Sequence, residues 1–213
     1  MARTMSLPDY SREPLLDLVA IGTLRPTQVT IGMREVEEKR RRWRGVKDKK
    51  EFLARHVIPV LLGTNRRPYV LDHHHLARAL LAEGVAEVTV TTWADLSHLS
   101  KTEFWTYLHN RSWCHPYDYR GKRVGFGQIP RRIDDLSDDP FRTLSGETRR
   151  RGGFAKVATP FSEFIWADFL RRRIKRQLVE SDFEAAVIEA LGLVRSREAA
   201  YLPGWCGADA DPD

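Results

Sequence analysis

The residues best equipped for chemistry stand together at Asp72-His73-His74-His75. Three apolar residues, Tyr69 to Leu71, precede them and read as a short buried strand. Leu76, Ala79 and Leu80 follow at helical spacing until Gly84 stops the helix. Asp72 is a preferred helix N-cap, so the backbone N–H groups of His73, His74 and His75 are expected in the open first turn. A strand feeding a helix whose N-terminus carries three imidazoles is a place to hold an anion, most simply a phosphate. Two other readings share the pattern. His73 and His75 could ligate a metal if a carboxylate joined them, and any of the three could be a core or capping residue. His98, His109 and His115 lie on unrelated segments, so no metal centre is expected.

Four further groups carry chemistry. Arg149-Arg-Arg-Gly-Gly-Phe-Ala-Lys156 is a glycine-hinged loop between cations. It lacks the ending of a Walker loop, but its Lys156 can close over a phosphate. The run Arg171, Arg172 and Arg173 offers phosphate contacts to DNA, or simply a solvated basic face. Cys114 beside His115 invites a nucleophile reading. Adjacent residues rarely aim at each other, however, and no base or orienting carboxylate can be placed. Finally, Arg34 to Arg44 is a charged helix whose acids precede its bases, allowing pairs of Glu35 with Lys39 and Glu37 with Arg41.

These groups need a frame. Leu16 to Ile21, Val57 to Leu62, Tyr69 to Leu71 and Ala86 to Thr92 read as strands. Arg34 to Arg44, Lys47 to His56 and the helix after His75 alternate with them. Pro26 holds Arg25 extended in the turn Leu24 to Gln28. Beyond Ser100 the character becomes helical. Ser100 and Glu103 form a capping box, Arg111 to Pro130 is irregular and aromatic, and Pro140 to Arg150, Phe161 to Val179 and Asp182 to Leu191 read as helices. In the middle one Ala167, Leu170, Ile174 and Leu178 form an apolar stripe. The expected division is a flexible tail over 1–15, a mixed-sheet core over 16–99, a helical extension over 100–200 and a flexible tail over 201–213.

Composition bounds the partners. The chain has 213 residues, 42% apolar content and a net charge of +6, which favours anionic partners and provides for a real core. With a mean hydropathy of −0.45 and no long apolar run, no membrane partner is expected. No signal peptide is apparent in Met1 to Leu16. Two cysteines give no disulfide framework, so a reduced cytoplasm is the expected location.

The central stretch resembles the phosphate-binding box of the ParB/sulfiredoxin superfamily. It is most similar to the Asp-Gly-His-His-Arg form of the free-serine kinases, with Asp72, His74 and His75 matching, His73 in place of the glycine and Leu76 in place of the arginine. The wider chain resembles the ParB-like nuclease family through R-P-T-Q, D-H-H-H-L-A-R-A-L, G-G-F-A-K and P-F-S-E-F-I-W-A-D-F-L-R-R-R-I. The resemblance implies an α+β fold, a small mixed-sheet ParB/sulfiredoxin-like core with a helical C-terminal extension. It implies that Thr27 and Gln28 lie beside a bound nucleotide, and that Glu35, with Glu37 as the fallback, is the general base. No cysteine stands inside the box, so sulfiredoxin chemistry is not implied.

The expected activity is phosphoryl transfer, or hydrolysis of a nucleotide or phosphate ester. Glu35, Asp72, His74 and His75 are its catalytic candidates, Mg²⁺ accompanies the nucleotide, and His73, His74, His75 and Lys156 hold phosphate. The alternative is a DNA-binding protein or metal-dependent nuclease using the Arg-rich helices, with weak, nonspecific nucleic-acid binding.

Overall fold

The computed structural model describes residues 16–207. The tail expected over 1–15, and the part of the second tail from 208 onward, lie outside the described residues. Four strands, β1 (Leu16–Ala20), β3 (Ile58–Gly63), β4 (Arg67–Val70) and β5 (Glu87–Asp95), form a mixed sheet in the order β1-β5-β3-β4. β1 pairs antiparallel with β5, and β4 with β3, while β3 and β5 run parallel. Parallel neighbours require a crossover. Helix α3 (His74–Ala82) supplies it, and Ala77, Ala79 and Leu80 are fully buried on its inner side. Gly84, at φ +73°, ends this helix in the left-handed conformation that glycine adopts most cheaply.

The helix α1 (Met33–Arg44) packs across α3 through Val36 and Trp43. Glu83 locks the two together by accepting from Arg40 Nε at 2.7 Å and Arg44 Nη2 at 2.7 Å. Helix α2 (Lys49–Arg55) lays Phe52 and Leu53 against the same core. α4 (Lys101–Asn110) opens with the expected capping box, and its Phe104 and Leu108 build a second core with Cys114 and Ile129.

The extension is α5 (Pro140–Arg150), α6 (Ser162–Arg171), α7 (Arg176–Ser181) and α8 (Phe183–Arg195) around a third core containing Trp166, Phe169 and Leu170. The single helix expected over Phe161 to Val179 is two. The chain turns after Arg171 so that Ile174 enters the core, and Lys175 is extended at ψ 131°. The apolar stripe runs on through the break, so periodicity alone does not register it.

Extension and sheet domain interlock. The short strand β2 (Thr30–Ile31) pairs in parallel with β6 (Ser137–Asp138), and Asp138 Oδ1 accepts from the Met33 amide at the start of α1. The flexible tail expected from residue 201 packs as far as 207. Leu202 is buried, Trp166 Nε1 donates to the Pro203 carbonyl at 2.8 Å, and Trp205 bridges to Phe154. Aromatic burial outweighs the Gly and Pro content that suggested disorder. Among the described residues no helix is long and apolar enough to cross a membrane.

Candidate functional site

The turn entering α3 departs from the expected cap. His73, not Asp72, is the N-cap residue, and it lies in the left-handed region at φ 67°, ψ 23°. Asp72 Oδ1 accepts from the His73 amide at 2.6 Å instead of capping the helix. This conformation explains why the related box has glycine at the position of His73: left-handed geometry crowds any Cβ. No side chain caps α3, so the N–H groups of its first turn remain directed out of the helix.

His74 and His75 turn inward, at 4% and 8% exposure. His74 Nε2 accepts from the Thr27 amide at 3.2 Å, and His75 Nε2 accepts from the Gly32 amide at 3.1 Å. An imidazole that accepts at Nε2 is neutral and carries its proton on Nδ1. Burial pushes His74 down to about 3, with His75 adding to the effect. Burial also drives His75 well below its ordinary value, reinforced by Arg142, Lys39 and Arg150. Both Nε2 atoms are therefore engaged as acceptors that fix the loops after β1, and of each ring only Nδ1 carries a proton to donate.

Thr27 braces this turn, and Gln28 beside it braces its own loop. The Thr27 hydroxyl donates to the Val70 carbonyl at 2.7 Å, and the Gln28 side-chain amide donates to the Thr30 carbonyl at 2.7 Å. Both residues are buried. Glu35, on the first turn of α1, reaches the histidines: its Oε2 is 3.6 Å from His75 Nε2 and 3.5 Å from Arg142 Nη1. The expected pair with Lys39 forms at 3.9 Å. Glu37 points elsewhere and pairs with Arg40 at 2.6 Å rather than with Arg41.

Several cations lie near enough to the turn to act on its histidines. Partial desolvation lowers the pKa of His73, and Lys39 and Lys156 add to that shift, so Lys156 of the glycine-hinged loop is close enough to be felt there. Arg142, Lys39 and Arg150 act on His75. Arg142 is a contribution that sequence reasoning missed. Its side chain is 11% exposed, and its Nε is buried without a hydrogen-bond partner. Its helix was legible, but nothing local marks a partner 107 positions away.

The other candidates lie apart. Arg171 pairs with Asp139 at 2.6 Å and with Asp168. Arg173 lies 3.8 Å over the Phe169 ring and pairs with Glu198. Arg172 is exposed, so the three do not form one cationic stripe. Cys114 is buried, and burial pushes its thiol up to about 12, which leaves almost no thiolate at neutral pH. Among the described residues no three His, Cys, Asp or Glu side chains converge as a metal set.

The family model described as "Putative ParB-like nuclease" matches residues 18–172. The chain belongs to this ParB-like family. Among solved structures it is similar to protein Atu1540 from Agrobacterium tumefaciens, at 51% identity and a TM-score of 0.88, over 93% of this chain and 100% of that one. No curated protein matches the chain. The matched span runs from β1 through α6, so the extension that supplies Arg142 belongs to the ParB-like unit.

Proposed function

We propose that this ParB-like protein binds a nucleotide or another phosphorylated ligand at the N-terminus of α3 and transfers or hydrolyses its phosphate. One observation carries the reading: an uncapped helix start has Lys39, Arg142, Arg150 and Lys156 near enough to act on its histidines, with the Glu35 carboxylate against His75. First-turn amides and the helix dipole favour an anion, and the cations add to that preference although Lys39 and Arg142 share Glu35 and Arg150 pairs with Glu38 and Glu147. His74 and His75 then act by holding Thr27 and Gly32 in place. Glu35 is the base that would take a proton from an attacking hydroxyl or water. A Mg²⁺ ion brought in with the phosphates would have the exposed Asp72 carboxylate as its protein partner, and its chemistry there would be charge neutralisation. Two free cysteines suit a reduced, cytoplasmic setting.

The test is a melting-temperature panel of nucleotides and phosphorylated metabolites with and without Mg²⁺, repeated on Lys39→Ala and Lys156→Ala. At least one phosphorylated ligand should raise the melting temperature of the native chain, and both variants should reduce that gain. No gain from any of them would overturn the reading.

A second reading is action on nucleic acid. It is favoured by the family description and by the exposed Arg41, Arg42, Lys49 and Lys50 of α1 and α2. These residues suit weak, salt-sensitive binding without sequence preference. Tight binding that persists at high salt would promote it over the first.

A further inference from the structure

Beside the anion site lies a cavity of about 270 Å³ that the reading above leaves unused, lined by His115, Tyr117, Phe161, Phe164, Ile165 and Asp168 among others. Its floor is aromatic. The His115 ring lies 4.0 Å from Phe164, 4.6 Å from Tyr117 and 5.0 Å from Phe161, tilted by 30 to 34° in each case. Ile165 is 38% exposed, an apolar side chain left facing water at the same place. Phe161 holds its ring there at a cost, because its backbone is left-handed at φ 56°, an outlier for an aromatic residue.

Two connections join this cavity to the turn at α3. The Thr27 amide donates to His74, while the Thr27 carbonyl accepts from the His115 amide at 2.8 Å. Arg142 ion-pairs with Glu35 on one side and lies 5.3 Å from the centre of the Phe164 ring on the other. A ligand with an anion at α3 and a flat group in the cavity would have Arg142 between them.

The sign of the field selects the flat group. An aromatic enclosure also suits an ammonium ion, but here the one lining carboxylate, Asp168, is already paired with Arg171. Burial lowers His115 to about 3, and Arg142 and Arg171 add to that, so the ring that floors the cavity is neutral and offers a cation no counter-charge. The geometry points to a subsite for a neutral planar heteroaromatic ring, the base of a nucleotide whose phosphates lie at α3. This rests on the anion-site reading for the position of the phosphates, though not for the ring subsite itself.

Calorimetric titration of the full chain separates the two. The probes are inorganic tripolyphosphate, the four ribonucleoside triphosphates and the four free nucleosides. The variants are Phe161→Gly, which removes a ring and relieves the backbone, and Ile165→Trp, which fills the cavity from an exposed position. At least one nucleoside triphosphate should bind about tenfold or more tighter than tripolyphosphate, in keeping with one stacked base. Both variants should erase that margin and leave tripolyphosphate affinity unchanged. Equal affinity for tripolyphosphate and every nucleoside triphosphate, insensitive to both variants, would overturn the ring subsite and keep the anion site. Binding of a nucleoside that both variants abolish, with no triphosphate bound more tightly than its nucleoside, would keep the ring subsite and overturn the anion site. No binding by any probe would overturn both.

Discussion

Glu35 Oε2 lies 3.6 Å from Nε2 of His75, although the two residues come from different helices and the imidazole already accepts from the Gly32 amide. With His75 neutral the contact is no ion pair, so the carboxylate is held mainly by Arg142 and Lys39. A carboxylate held beside an open helix start is placed to take a proton from a neighbouring nucleophile.

Glu35→Gln is therefore expected to slow phosphate release from a bound nucleotide about 10²-fold or more, the usual range for losing a general base. Nucleotide affinity should stay or rise, since a negative charge beside phosphates disappears. Glu37→Gln, altering an exposed side chain paired with Arg40, should leave the rate as it was. Single-turnover phosphate release with parallel binding measurements reads both.

His74→Ala and His75→Ala each leave a buried amide, of Thr27 or Gly32, without its acceptor. Each should cost about 1–3 kcal/mol of stability, measured by denaturant unfolding. Full stability with lost phosphate affinity would instead make the imidazoles direct ligand donors. Asp72→Ala, removing an exposed acceptor for the His73 amide, should cost less than either.

Stability should fall as pH is lowered below about 6.5. The folded values of His74 and His115 are depressed to about 3 from 6.5, so between those limits the unfolded chain binds protons that the folded chain does not. Unfolding then takes up protons, and each such group removes about 1.4 kcal/mol per pH unit on acidification. His115→Phe keeps the stack with Phe164 and should lessen the dependence by one proton. An unchanged slope, read from urea midpoints between pH 4 and 7 (roughly the window between these two limits), would refute the burial argument.

Gly204→Ala should destabilise the protein by about 2 kcal/mol or more. Gly204 is left-handed at φ 79°, and a Cβ there would press into the Ala155 carbonyl oxygen. The clash falls on the loop that carries Lys156, so protease cleavage near Ala155 should quicken at the same time.

Much of the frame was legible because local rules and tertiary packing agree. Alternating β-branched residues marked β5, Ser100 with Glu103 marked the start of α4, and Gly84 marked the end of α3. Glu35 does lie against the Asp72 to His75 turn, but the contacts within that turn differ from those expected. Asp72 has the chemistry of a cap, yet its carboxylate bonds the next amide and leaves the cap position to a strained His73. The break before α7 was hidden because Ile174 keeps its place in the apolar stripe while leaving the helix. Arg142 was invisible for another reason: its meaning depends on a carboxylate from the far side of the fold.

The pairing of Ala155 with Gly204, and of Phe154 with Trp205, bears on how the molecule is made. During synthesis the sheet and α3 leave the ribosome long before residues 203–205 do. A nascent chain can thus form the His74 and His75 turn early, while the loop bearing Lys156 has nothing to rest against. That loop gains its anchor only once Trp205 has emerged, so Lys156 takes its place near His73 later than the turn itself can form.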